Sequence, residues 1–138
     1  MARLGNLLRR LEPGVTIVVP AHNVQRYLAR CLDSVLAQTW WDRCRILVVD
    51  DGSTEDTGRL GDEYAAAHPR IAVVHQANGG PGAGAARNNG LDLVRTQQVL
   101  FLDGDDELTP RAIELMSGAL ARHGRDLAVG ATEQFPQS

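Results

Sequence analysis

The sequence predicts an α/β domain: a mostly parallel sheet with helices on both faces. Three observations lead there. Short β-branched runs alternate strictly with stretches of helical apolar spacing, and the runs are apolar on both sides, as strands covered from both faces are. Every cluster of chemically suggestive residues follows the end of a strand, the edge at which parallel sheets bind ligands. Finally, 138 residues with 43% hydrophobic and 22% charged content is the size and composition of one globular domain with a real core.

"VTIVVP" (Val15–Pro20) is the first strand, stopped by proline. In "NVQRYLARCLDSVLAQ" the residues Tyr27, Leu28, Cys31, Leu32, Val35 and Leu36 share one helical face, with Asn23 available as cap. "RILVVDD" is the second strand. Ser53 or Thr54 caps a helix running to about His68, Asp56 favours its N-terminus and Pro69 ends it. "IAVVH" is the third strand, "GPGAGAARNNGLDLVR" a glycine-rich loop entering a helix, and "QVLFLD" the fourth strand. Thr109 and Pro110 then supply N-cap and N1 of a helix lined by Ile113, Met116 and Leu120 and closed by Gly124. "DLAVGAT" reads as a fifth strand. The domain thus spans 15–131, behind a helical lead at 1–14 and before a loose tail at 132–138.

Composition excludes several functions. The net charge of −3 offers no general attraction to nucleic acid. All 14 basic residues are arginine, so no mechanism that needs a lysine is available. Cys31 and Cys44 have no metal-ligand spacing around them and read as reduced and structural. No apolar run is long enough to span a membrane and no signal peptide opens the chain, which predicts a cytoplasmic protein. In the lead, Leu4, Leu7, Leu8 and Leu11 beside Arg3, Arg9 and Arg10 form a docking helix; the alternative is an interfacial helix giving peripheral association with the inner membrane face.

Four clusters carry the chemistry. "DGDDE" crowds Asp103, Asp105, Asp106 and Glu107 at the mouth of a strand. Mg²⁺ or Mn²⁺ wants one or two such carboxylates plus a substrate phosphate, and Asp103 and Asp105, with Gly104 between them, can face one centre. Asp106 and Glu107 read as charging the N-terminus of the following helix. "GGPGAGAARNNG" joins backbone N–H groups to a helix start, which favours an anion. Arg87, with no evident structural partner, suits a diphosphate. In "DDGS", Asp50 and Asp51 could hold another cation or accept a base N–H, and Ser53 is a ligand contact or a helix cap. His22 of "PAHN" either stacks a nucleobase or holds the loop.

The ordered set "VVPAHN", "VVDDGSTEDT", "NGGPGAGAARNNGL" and "VLFLDGDDELTP" resembles the nucleotide-sugar-binding half of glycosyltransferase family 2, enzymes of the Rossmann-like GT-A fold, over residues 15–131. The resemblance implies that Pro20, Ala21, His22 and Asn23, with Asp50 or Asp51 and Ser53, surround the base. It implies that Gly84 and Arg87 meet the diphosphate. Asp103 and Asp105 would form the DxD-type metal element, Asp103 near the ribose and Asp105 on the cation. The implied partners are a nucleoside diphosphate sugar, a UDP-sugar first among them, and an acceptor glycan, lipid or polyol.

The implied reaction is an inverting displacement at the anomeric carbon. Two departures accompany it. His22 stands where many members carry an aromatic residue, and the chain ends at Ser138, before the acceptor-binding half that carries the general base. The expectation is therefore a donor-binding domain truncated before that half, with the catalytic base beyond Ser138. Two other classes fit less well. A non-catalytic nucleotide-binding or assembly module is separated from an enzyme by product formation. A haloacid-dehalogenase-like phosphatase would share "DGD", but it would open the domain with that motif and would need a lysine.

Overall fold

The computed structural model describes residues 11–80 and 82–124. Its four strands, β1 (Glu12–Ala21), β2 (Cys44–Asp51), β3 (Ile71–Gln76) and β4 (Thr96–Phe101), form one parallel sheet in the order β3-β2-β1-β4. Between them run α1 (Leu28–Leu36), α2 (Thr57–Ala67) and α3 (Gly84–Leu93), with α4 (Ala112–His123) after β4. The order places β1 and β2 at the centre, and these are the two strands with the longest buried runs. Register aligns the strand ends: Ala21 pairs with Asp50, and Asp50 with His75. The polar residues that follow these strands are therefore delivered to one edge.

Alternation along the strands divides the core. Ile17, Val19, Ile46 and Val48 face one side, against Leu28, Cys31, Leu32 and Val35 of α1 and Ile113 of α4. Val18, Leu47 and Val49 face the other, against Ala86 of α3. The predicted face of α1 is buried at these four positions, while Tyr27 is exposed and Leu36 half-buried. Each fully buried aliphatic side chain contributes about 1.5–3 kcal/mol. On the second face α3 lies close to the sheet because Gly90 has no side chain: a Cβ there would meet Val18 Cγ1 at 2.5 Å.

Helix starts differ from expectation, and for the first two the physical reason is the same. The polar side chains expected to cap helices bond across loops instead. Asn23 does not cap α1, which begins at Leu28 after Tyr27; its Oδ1 accepts the Thr54 N–H. Neither Ser53 nor Thr54 caps α2, which begins at Thr57 after Asp56. α4 begins at Ala112, not at Pro110; here it is the Thr109 backbone carbonyl, not its side chain, that is engaged across the loop, accepting Gln38 Nε2–H at 2.6 Å. Gly124 does close α4 in the left-handed region, at φ 57°. β1 starts at Glu12, within the stretch expected as lead. Of the helical lead expected over 1–14, residues 1–10 lie outside the described residues and 11–14 are not helical; the fifth strand and the tail also lie outside the described residues.

Candidate active site

A cavity of about 630 Å³ opens at the C-terminal edge of the sheet, within the size range of small-molecule sites. β1 brings Pro20, Ala21, His22 and Val24; β2 brings Asp51; the loop into α3 brings Asn78, Gly80, Gly82 and Ala83; α3 brings Ala86 and Arg87; and the turn after β4 brings Asp103, Gly104 and Asp105.

At one end everything is tied down. Asp51 is 3% exposed, and its Oδ1 accepts hydrogen bonds from Gln76 Nε2 and the Gly79 N–H, both at 3.0 Å. His22 Nδ1 lies 2.7 Å from the Asp51 carbonyl oxygen. A carbonyl only accepts, so Nδ1 carries the proton and the ring's orientation is set. Behind this wall six hydrogen bonds join residues 23–25 to 53–57, among them Asn23 N–H to Ser53 Oγ at 3.1 Å and Val24 N–H to Thr57 Oγ1 at 3.0 Å. Asn23, at φ 50°, is the only non-glycine residue described in the left-handed region, and this lacing holds it there. Gly52, at φ 67°, lets the turn pass the next loop, where a Cβ would stand 2.6 Å from the Asn78 nitrogen.

The other end is acidic and open. Asp103, Asp105 and Asp106 each offer a carboxylate oxygen, and the three lie within 4.8 Å of one another. Loss of solvent, and then repulsion from Asp105 and Asp103, push the Asp106 carboxyl above its ordinary value. Such crowding is what a hard divalent cation relieves, and this donor set is of the kind Mg²⁺ and Mn²⁺ accept, so the residues present fit such an ion. Arg87 has the partner the sequence did not reveal: its Nη2 donates to Asp103 Oδ1 at 2.9 Å, with both side chains roughly half-exposed. Neither Asp106 nor Glu107 serves a helix N-terminus, since α4 starts only at Ala112: Asp106 stands with Asp103 and Asp105, and Glu107 pairs with Arg30 at 3.1 Å. Under the turn, burial and then the carboxylates above it push the Cys31 thiol up to about 12. Cys31 and Cys44 are both buried and unpaired.

Of the expected site residues, Pro20, Ala21, His22, Asp51, Arg87, Asp103 and Asp105 line the cavity. Asn23, Asp50, Ser53 and Gly84 do not. Asn23 and Ser53 form the lacing, and Asp50 is occupied by the Ser53 N–H and His75. Asn78, Gly80, Gly82 and Val24 line it unexpectedly. Asn78 and the glycines fall in the glycine-rich stretch, whose composition marks the segment but not which of its residues face inward.

Comparison with known proteins decides the family. Residues 16–138 match Glycosyl transferase family 2. The chain belongs to that family. It is 36% identical to glycosyltransferase GlyA of Streptococcus pneumoniae over 128 residues, covering 93% of this chain and 18% of GlyA. It is 43% identical to a chondroitin synthase of Escherichia coli over 103 residues, covering 75% of this chain and 15% of the synthase. Among solved structures, S. aureus TarS 1–349 in complex with UDP superposes with a TM-score of 0.74 at 24% identity, over 91% of this chain and 38% of TarS. Mannosyltransferase PcManGT from Pyrobaculum calidifontis, in complex with GDP-Man and Mn²⁺, does so at 0.61 and 25%, over 80% of this chain and 35% of its own. The fold is that of the GT-A transferases. The chain spans less than half the length of each of these proteins.

Proposed function

We propose that this family 2 chain is the donor-binding domain of a glycosyltransferase, holding a nucleoside diphosphate sugar together with Mg²⁺ or Mn²⁺ for transfer to an acceptor hydroxyl. The observation that carries this is the polarity of the cavity: a rigid hydrogen-bonding wall at one end, and an arginine beside clustered carboxylates at the other. That the TarS and PcManGT structures contain UDP and GDP-Man supports the ligand class.

In this reading the free carboxylate oxygen of Asp51 accepts a base N–H, and the His22 ring flanks the base. Arg87 exchanges Asp103 for the diphosphate, because a charge-assisted fork to phosphate replaces the pair it gives up. Asp103 and Asp105, with Asp106 beside them, are the residues that would hold the cation. When bound, the cation supplies charge neutralisation on the departing diphosphate. The acceptor hydroxyl attacks the anomeric carbon from the face opposite the diphosphate. The carbon–oxygen bond to the diphosphate breaks, configuration inverts, and the hydroxyl proton passes to a carboxylate base outside residues 11–124. The acceptor is a glycan, lipid or polyol. Two buried, unpaired thiols suit a reducing, cytoplasmic compartment. No helix among the described residues is long and apolar enough to cross a membrane; a peripheral association would fall to the N-terminal lead.

Isothermal calorimetry tests the proposal on the 138-residue chain. Cation and UDP should each raise the other's affinity by the same factor. UDP binding that is indifferent to Mn²⁺ and Mg²⁺ would remove the cation from the reading, and no binding of any nucleoside diphosphate would remove the rest.

A further inference from the structure

Behind the cavity wall, at the end of β3, the His75 ring lies between carboxylates from two other elements. Nδ1 is 2.8 Å from Asp50 Oδ2 on β2, and Nε2 is 2.9 Å from Asp62 Oδ1 on α2. A carboxylate offers lone pairs only, so each contact is a hydrogen bond only when the ring nitrogen carries a proton. Both nitrogens do so in the imidazolium alone. A neutral ring would set lone pair against lone pair at one end.

The remaining charged and titratable groups of the packed elements face elsewhere. On β2, Asp51 is engaged by Gln76 and Gly79, and Arg45 by Glu12. On α2, Arg59 holds Asp56 and Glu63, and Tyr64 donates to Asp33. The helix leaves room for the contact only because residue 58 is glycine: a Cβ there would stand 2.5 Å from Asp50 Oδ2 and 3.1 Å from His75 Cε1.

What His75 holds leads to the cavity. Asp50 is 7% exposed, and its other oxygen accepts the Ser53 N–H at 3.2 Å, closing the turn that carries Asp51. Ser53 Oγ in turn accepts the N–H of Asn23, the residue after His22. We infer that His75, as an imidazolium, is a positioning residue for nucleotide binding: it fixes Asp50, and through it the turn that presents Asp51 and His22 to the cavity. Affinity for a nucleoside diphosphate then falls as His75 loses its proton. The affinity clause rests on the donor-binding function proposed above.

Hydrogen bonding to Asp50 and then Asp62 raises the His75 pKa above the ordinary imidazole value, against a lowering by burial. For Asp50, burial pushes upward but is outweighed by hydrogen bonds from Ser53 and His75, and its carboxyl lies below the ordinary value. The interaction is therefore complete below the ordinary imidazole pKa and is lost as pH rises through the raised one.

NMR and UDP titrations in Mg²⁺ on the 138-residue chain, from pH ~6 to ~9, test this. The ring signals of His75 should titrate above the ordinary imidazole range, the amide signals of Ser53 and Asn23 should follow them, and UDP affinity should fall roughly fivefold across the same span. Asp62→Asn, on the exposed side of α2 and away from the cavity, should lower the His75 pKa and carry the affinity inflection down with it. His75→Gln should abolish the inflection, and Asp62→Asn decides the matter if that variant does not fold. An inflection that stays put while the His75 pKa moves, or amides that ignore the His75 titration, would overturn the positioning role. Absence of binding of UDP and of every other nucleoside diphosphate at every pH would instead overturn the donor-binding function, with the amide response still deciding whether His75 sets the turn.

Discussion

The two ends of the cavity are built on opposite plans. At the Asp51 end the side chains are held before any ligand arrives: Asp51 Oδ1 has two donors, His22 has a carbonyl, and the loops behind are laced by six hydrogen bonds. At the Asp105 end three carboxylates stand within 4.8 Å, with one arginine on Asp103. The first end is preorganised, so a ligand there meets a fixed surface and orders little on binding. The second holds uncompensated repulsion, so its final geometry awaits opposite charge. In the proposed function this divides recognition, done by rigid hydrogen bonds, from activation of the leaving group, done by charge.

The largest break in that contrast should come from Asp105→Asn. Removing one of three crowded carboxylates takes away a cation ligand and also the repulsion that favours a cation. We expect Mn²⁺-dependent UDP affinity to fall about a hundredfold, while thermal unfolding stays near the wild-type midpoint. Asp106→Asn should fall between wild type and that variant, about tenfold, because its carboxylate shares the cluster. Calorimetry with and without Mn²⁺ reads both. A wild-type metal response in Asp105→Asn would move the cation site elsewhere.

A smaller effect is expected at the junction of the two ends. Arg87→Ala should weaken binding of a nucleoside diphosphate about tenfold more than that of the monophosphate, the size of one charge-assisted hydrogen bond. Equal losses would mean that the Arg87–Asp103 pair, 2.9 Å long in the structure, serves only to hold the turn.

How legible these regions were in the sequence differs for the same physical reason. Strand order aside, the sheet and the edge where its polar clusters gather follow from periodicity, because burial on both faces leaves β1 and β2 no polar positions between Val15 and Val49 except Thr16, Arg45 and the loop and helix residues outside the strands. Asp103 and Asp105 were legible as cavity residues because charge that crowded, in so few residues, demands a partner; the pairing of Arg87 with Asp103 was not, because it forms only when α3 and the turn after β4 meet at the sheet edge. The lacing was not. Asn23, Ser53 and Thr54 have the side chains of helix caps, and only the approach of two loops distant in sequence turns them into cross-loop bonds. Asp50 and Asp51 are adjacent and identical in type, yet strand alternation sends one toward His75 and the other into the cavity. His75 itself, within an apolar run, gave no signal of a role because its partners come from β2 and α2.

The smallest expected effect probes how redundant the rigid end is. Ser53→Ala removes the acceptor of the Asn23 N–H but leaves the Ser53 N–H on Asp50, the Thr54 N–H on Asn23 Oδ1, and the bonds of Val24 and Gln25. The Asn23 amide is exposed, so water replaces the lost acceptor, and the cost should be about 1 kcal/mol or less in denaturant unfolding. UDP affinity should change by less than about threefold, because the remaining bonds still hold Asn23 in its left-handed conformation. A tenfold loss of affinity with unchanged stability would show that the lacing acts as a chain in which each link is needed. In that case the preorganisation of the Asp51 end would depend on single bonds, and the contrast with the acidic end would be one of degree.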